Sequence, residues 1–149
     1  MRKQFFRAFI MAGLLITAAA GSALAQSPEK VVVDVPFNFI VGDKTLAAGE
    51  YSVRNISTGR TQALLIRSAD GRSAYITLTN PVQSSSVRKG ARVVFKQYGD
   101  RYFLSQVWTP GVDVGRAVPK ARLQREAESE EARAASAGPA TVTLTGRQQ

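Results

Sequence analysis

Carboxylates are the main candidates for catalysis in this sequence, because the chain contains neither histidine nor cysteine. That composition excludes imidazole triads and thiol nucleophiles and removes the commonest metal ligands. A glycosidase would need two carboxyl groups about 5 to 10 Å apart across a cleft. No spacing pairs two of the acids, so we expect no catalytic residue, no metal site and no cofactor. The acids between residues 30 and 119 are Asp34, Asp43, Glu50, Asp70, Asp100 and Asp113.

A second candidate is a mixed face formed around a turn at Gly99-Asp100. A two-residue loop there pairs Tyr98 with Arg101 and predicts a hairpin whose one side carries cations, aromatic rings and aliphatic groups together. Such a surface can hold an anionic polymer by charge while a ring stacks on a sugar or base. The alternative is that a second sheet, a loop or the C-terminal segment covers it. The residues of this mixed face are Arg92, Val94, Lys96, Tyr98, Arg101 and Phe103.

Short strands must position these residues, since apolar residues alternate with polar ones from residue 30 to about 108. Val31 to Val41 has its large apolar side chains at odd positions, which is typical of a half-buried strand. Pro36 predicts an edge strand or a bend there, because proline cannot donate to a ladder.

Two turns also predict hairpin registers. The turn at Asp70-Gly71 predicts a hairpin whose apolar pairs face the core. The turn at Gly99-Asp100 predicts a hairpin with Phe95 and Trp108 both facing inward. The predicted pairs are Arg67 with Ala74, Leu65 with Ile76 and Ala63 with Leu78 in the first hairpin, and Tyr98 with Arg101, Gln97 with Tyr102, Phe95 with Leu104, Val93 with Gln106 and Ala91 with Trp108 in the second.

The sequence beyond Pro110 lacks regular strand signals. Gly111 to Pro119 is typical of a linker, and residues 120–136 are rich in alanine and charge, with Leu123 as the only large apolar residue. We expect an exposed or fraying helix there. The alternation at residues 141–145 predicts either one more strand or a disordered tail. The fold prediction is therefore all-β: a single antiparallel sandwich-like or partly closed barrel domain of about six to eight short strands at residues 26–119, with a C-terminal polar helix or disordered tail at residues 120–149.

The first 25 residues have the pattern of a cleaved export signal. Arg2, Lys3 and Arg7 precede an apolar run at residues 8–20, and Ala23-Leu24-Ala25 offers a small-x-small cleavage site. We expect cleavage after Ala25 and a periplasmic or extracellular location, with a mature form that does not span a membrane.

Positive charge is the remaining signal. The chain has 20 basic and 11 acidic residues, and three of the basic ones lie in the export signal. Residues 30–119 contain twice as many basic as acidic residues. The surplus indicates either an anionic envelope polymer as partner or scattered arginines that keep the domain soluble. Another envelope protein is an alternative partner.

Two motifs resemble the opening of a group of small exported bacterial β-domain proteins with no known activity. That opening is VPF-x-F-x-VG followed by LPAGxYxV. Here it stands as Val35 to Gly42 and Leu46 to Val53, with Ala47 where proline is common. The resemblance implies a small β domain and assigns no activity.

We therefore expect an exported, non-catalytic β domain with a structural or binding role in the cell envelope or extracellular space. Two alternatives stay open: an enzyme acting on cell-wall or extracellular polysaccharide through a carboxylate pair, and a small outer-membrane β-barrel.

Overall fold

The computed structural model describes residues 30–85, 89–134 and 138–149, and the export signal predicted at residues 1–25 lies outside the described residues. The secondary-structure elements are β1 (Lys30–Val35), β2 (Phe39–Val41), β3 (Lys44–Leu46), β4 (Gly49–Asn55), β5 (Ala63–Ser68), β6 (Ala74–Leu78), β7 (Asn80–Gln83), β8 (Ala91–Tyr98), β9 (Arg101–Trp108), β10 (Val114–Ala117), α1 (Arg122–Arg133) and β11 (Ala140–Gln148).

The strands form one sheet that curls into an open half-barrel in the order β3-β2-β9-β8-β11-β1-β4-β5-β6, with β10 beside β9 and β7 beside β10. The prediction of an all-β domain is confirmed. The described strands number eleven rather than six to eight, because breaks after Val35 and at Thr79 divide extended segments and because the segments predicted as linker and tail contribute β10 and β11. Pro36 ends β1, as expected for a residue that cannot donate to a ladder, and the chain resumes as β2 in parallel with β9.

The main core lies on the concave side of the sheet. The odd-numbered residues of β1 are buried there, as their alternation predicts, and Phe39 packs edge to face on both Tyr51 and Phe95. The sheet curls around these side chains because they are the ones that lose contact with water. The buried members of this core are Val31, Val33, Val35, Phe39, Val41, Leu46, Tyr51, Val53, Leu64, Ile66, Ala91, Val93, Phe95, Leu104 and Val107.

The β5–β6 hairpin has the predicted register but the opposite orientation. Leu65 pairs with Ile76, as the Asp70-Gly71 turn requires. The expectation that this pair faces the core is wrong: Ile76 is 59% exposed, whereas Leu64 is 2% exposed. Both faces of β5 are apolar, so pairing within the hairpin does not determine which face is buried. Packing against Val53 of the neighbouring strand β4 determines that orientation.

A β-bulge divides the β8–β9 hairpin. The predicted pairs hold from the turn to Phe95 and Leu104, and beyond them the register shifts by one residue. The predicted pairs Val93 with Gln106 and Ala91 with Trp108 are therefore wrong, because Ser105 is the extra residue and its carbonyl accepts a hydrogen bond from the amide of Val118.

The bulge also changes the orientation of the following residues. Val107 enters the main core, and Trp108 lies on the outer face, where it is buried with 4% exposure. There the indole covers Gly115, at which a Cβ atom would lie 2.6 Å from the ring. Any larger residue at position 115 would displace the tryptophan.

The C-terminal third of the chain is more ordered than the sequence suggests. The segment predicted as a linker contains β10, which pairs with both β7 and β9. The alternation at residues 141–145 lies in β11, which is inserted between β8 and β1 in the middle of the sheet. Val142 and Leu144 pack against the main core, so residues assigned by sequence to a tail belong to the β domain.

Among the described residues, no helix is both long and apolar enough to cross a lipid bilayer.

Candidate functional site

Two of the six acids line one shallow depression, of about 280 Å³, beside the β5–β6 turn. One of them, Asp70, accepts hydrogen bonds through Oδ1 from the hydroxyl of Ser68 at 2.5 Å and the amide of Arg72 at 3.0 Å. The Ser68 hydrogen bond is the largest cause that lowers the pKa of Asp70. The other acid, Glu50, forms an ion pair with Arg147.

These partners favour the charged form of Asp70, whereas a glycosidase needs one carboxyl group whose pKa is raised so that it can donate a proton. Asp34 is the cross-strand partner of Glu50 on the same outer face, and both side chains are exposed to water. No group of three or more metal-ligating side chains occurs within the described ranges. The depression therefore has the features of a structural turn rather than those of an acid–base site.

The mixed face predicted from the sequence lies on the convex side of the β8–β9 hairpin, beneath α1. Tyr98 and Phe103 are each 2% exposed and meet edge to face, with ring centroids 5.8 Å apart. Ala127 of the helix packs on them and is itself buried, with Leu123 and Ile40 at the margin. The two aromatic rings are thus inaccessible to a ligand while the helix is in place.

A charged contact holds the helix on this face. The guanidinium of Arg101 forms an ion pair with Glu130, so this member of the mixed face is occupied by the protein itself. Lys120, two residues before the helix, contacts Glu128 at 2.7 Å, and this hydrogen bond is the largest cause that raises the pKa of Lys120. That contact lies within the helical segment and does not join it to the sheet. α1 has a single large apolar residue, Leu123. The small side chain of Ala127 allows the helix to lie close to Tyr98 and Phe103.

The other three members of the mixed face stay accessible. Arg92 is exposed, and Val94 and Lys96 are half-buried. Their cross-strand partners in β11 are the exposed residues Thr145, Thr143 and Thr141. The helix therefore covers the aromatic rings and leaves Arg92 and Lys96 accessible, so this part of the mixed face has no exposed ring on which a sugar could stack.

A different group of basic residues lies uncovered on the outer face of β1, β4 and β5, and we call Lys30, Arg54 and Arg67 the cation cluster. Lys30 and Arg54 are direct cross-strand partners. Arg67 lies diagonally from Arg54, because Arg54 pairs with Leu65. Residues directly opposite in an antiparallel pair have Cβ atoms about 5 Å apart, and diagonal neighbours are about 7 to 8 Å apart, so like charges in such positions repel each other.

The cation cluster surrounds a depression of about 320 Å³ that is also lined by Ser52, Ser68 and Glu50, whose carboxylate is paired with Arg147. Neither Arg54 nor Arg67 has an ion-pair partner among the residues that the structure describes. Within the described part of the chain, the ammonium group of Lys30 donates to the neutral side-chain oxygen of Gln149, at 3.1 Å. Chemically, the arrangement is suited to bind carboxylate, sulfate or phosphate groups.

Sequence reasoning missed the cation cluster because its members are 13 to 37 positions apart in the chain. The available signal was the alternation in β1 and β4, which places Lys30 and Arg54 on their polar faces. Only the cross-strand register shows that these faces adjoin.

Comparison with known proteins adds no relative: no family model, no curated protein and no solved structure matches the chain.

Proposed function

We propose that this chain is an exported, non-catalytic binding domain of the cell envelope, and that its ligand is an anionic polysaccharide held by the cation cluster. The supporting observation is the clustering of Lys30, Arg54 and Arg67 on an open face where the adjacent acid Glu50 is already paired with Arg147. Mutual repulsion raises the free energy of the unliganded surface, so a polyanion would relieve it on binding. The motifs at Val35–Gly42 and Leu46–Val53 support export and a small β domain by resemblance alone.

Affinity for a sulfated or carboxylated glycan tests this proposal. We expect retention on immobilised heparin that falls steeply with salt, because each contact releases bound counterions. Changing Arg54 and Arg67 together to glutamine should lower the slope of log affinity against log salt by about 1.5, by analogy with nucleic acids. The matched control changes Arg92 and Lys96 to glutamine, which removes the same charge from the outer face of β8.

The control separates a site from general attraction by net charge. Equal loss of binding in both double variants would contradict a specific cluster and leave only the long-range field of the protein. Absence of salt-sensitive binding in the unaltered protein would contradict the polysaccharide proposal altogether and favour a structural role.

Export is tested separately. We expect protein recovered outside the cytoplasm to begin at Gln26, and changing both Ala23 and Ala25 to leucine should leave a precursor of full length. N-terminal sequencing of exported protein that begins at Met1 would contradict cleavage.

The polysaccharide-degrading alternative is tested with the same protein. Glu50→Gln should leave any measured turnover of the glycan unchanged, since Glu50 is paired with Arg147. Because Glu50 lines the same depression as the cation cluster, loss of its negative charge should strengthen polyanion binding. Loss of a measurable hydrolytic activity in that variant would overturn the non-catalytic assignment.

A further inference from the structure

A cavity of about 220 Å³ opens at the end of the half-barrel where β1, β5 and β10 begin and where β4 and β9 end. Its floor consists of Val31, Val53, Leu64 and Val107, each at most 3% exposed. The cavity is therefore the uncovered end of the main core rather than a surface depression between loops. Ligand sites often lie in the mouths of β-barrels for this reason.

The rim of the cavity contains one strong hydrogen-bond donor. Arg116 lines it, is half-buried, and donates a hydrogen bond to the side-chain oxygen of Gln62, which is neutral. No acid lies within ion-pair distance of this guanidinium among the described residues. A half-buried cation beside an aliphatic floor is unusual unless an anion can approach it, because partial burial weakens its hydration.

A second donor lies on another strand of the rim, at the end of β4. The side-chain oxygen of Asn55 accepts hydrogen bonds from the amide and the hydroxyl of Ser57, at 3.0 and 2.5 Å. Its amide nitrogen remains as the group that can face a ligand. Arg116 and Asn55 together offer N–H donors at the mouth, above a floor that offers none.

We propose that this end cavity binds a short aliphatic carboxylate, with the hydrocarbon chain on the valine and leucine floor and the carboxylate at Arg116. A cavity of roughly 150 Å³ lined by aliphatic side chains can hold benzene, so the present volume suits a chain of about six carbons. The Arg116 contact provides a charge-assisted, directional hydrogen bond. This site is separate from the cation cluster and does not depend on it.

Asp113 sets the selectivity of the rim. It also lines the cavity, is exposed to solvent, and its carboxylate repels a bound anion. Its backbone carbonyl accepts a hydrogen bond from the amide of Ser84 at 2.8 Å, so the loop is held in place independently of its side chain. Neutralising this acid should therefore strengthen carboxylate binding without moving the loop.

Matched probes test the proposal with protein purified from cells that express the full chain. Hexanoate, hexanol and hexylamine share one alkyl chain and differ in the charge of the head group. Fluorescence of Trp108, the single tryptophan of the chain, reports binding because Val107 and Thr109 on either side of it line the cavity. We expect saturable binding with hexanoate tighter than hexanol, and hexanol tighter than hexylamine.

Variants of the rim assign the preference to its residues. Arg116→Gln should weaken hexanoate binding by about tenfold or more and leave hexanol binding unchanged. Arg116→Lys should retain part of the preference, and Asp113→Asn should tighten hexanoate binding. Arg72→Gln, which removes one exposed positive charge beyond the end of β5 opposite the cavity, is the matched control and should have no effect.

Three outcomes would overturn the proposal: no saturable binding of any probe, a preference for hexylamine in the unaltered protein, or an unchanged hexanoate preference in folded Arg116→Gln. The first two need no variant, so the test holds even where a rim substitution impairs folding. None of these measurements involves a polyanion, so their failure leaves the polysaccharide proposal untouched.

Discussion

The outer face of β8–β9 and the outer face of β5–β6 have similar residues and opposite environments. Both combine large apolar side chains with arginines. On the first, Tyr98 and Phe103 are each 2% exposed beneath α1, whereas on the second Ile76 and Leu78 are 59% and 61% exposed. Composition therefore does not determine which face of a sheet is covered.

Chain connectivity explains the difference. β10 lies beside β9, and β11 lies beside β8. The connection from β10 to β11 must therefore cross the β8–β9 hairpin. α1 is part of that connection and is consequently placed on the outer face of the hairpin. Among the described residues, no connection has to cross β5–β6, which form one end of the sheet.

The largest expected effect comes from removing β11, the strand at which the connection from β10 ends. Truncation after Pro139 would expose the edges of β8 and β1 and remove Val142 and Leu144 from the core. We expect loss of cooperative thermal unfolding by near-ultraviolet circular dichroism. The control, Thr141→Asp with Thr143→Asp, alters only exposed positions and should unfold cooperatively. A truncated protein with a normal transition would contradict the central placement of β11.

The two faces should differ next in the cost of truncating a side chain. Phe103→Ala should lower the free energy of unfolding by about 3 to 5 kcal/mol, because it leaves a cavity beneath α1. Ile76→Ala should change it by less than about 0.5 kcal/mol, because the side chain is mostly in water already. Urea denaturation measures both values, and similar losses in the two variants would refute the difference between the faces.

Displacing α1 should make the covered face resemble the open one. Ala127→Glu places a charge against Tyr98 and Phe103, and we expect a loss of about 2 to 3 kcal/mol together with faster hydrogen exchange in residues 122–133. The control is Ser129→Glu, at an exposed position of the same helix. Unchanged exchange rates in Ala127→Glu would show that the helix is held by its ion pairs alone.

A smaller effect of opposite sign is expected at the covered tyrosine. The hydroxyl of Tyr98 is buried, and none of the described residues is its hydrogen-bond partner. Tyr98→Phe should therefore stabilise the protein by about 1 kcal/mol. In contrast, the Tyr51 hydroxyl donates to the carbonyl of Ala47 at 2.7 Å, so Tyr51→Phe should destabilise it by a similar amount. Destabilisation by both substitutions would contradict an unpartnered Tyr98 hydroxyl.

The smallest expected effect concerns acid stability at the β5–β6 turn. The folded protein lowers the pKa of Asp70, chiefly through the Ser68 hydrogen bond. Its stabilisation is therefore present above the unfolded pKa, near pH 4, and is lost as the pH falls through the folded pKa. Asp70→Asn and Ser68→Ala should each flatten the decline in stability below about pH 4. Urea midpoints measured across that range that match those of the unaltered protein would contradict the shift.

Local pattern was a sound guide wherever one strand or one turn was sufficient. The alternation of β1 predicted its buried face, Pro36 predicted the break, and the Asp70-Gly71 turn predicted the pairing of Leu65 with Ile76. The mixed face was located on the correct side of its hairpin, but its accessibility depended on a helix 20 to 30 residues away in the chain. Arg116 gave no local signal, and for the cation cluster the alternation in β1 and β4 placed Lys30 and Arg54 on polar faces without showing that these faces adjoin.

The sequence by itself determined the strand pattern, the turn positions and the absence of histidine and cysteine chemistry, because these follow from side-chain type and from pairing between close neighbours in the chain. Only the tertiary structure decided which faces are inside. The orientation of β5–β6, the shift at Ser105, the position of β11 and the helix on Tyr98 all depend on contacts between distant segments. Such contacts depend on the total apolar surface that the fold removes from water, and a short window of sequence does not determine that total.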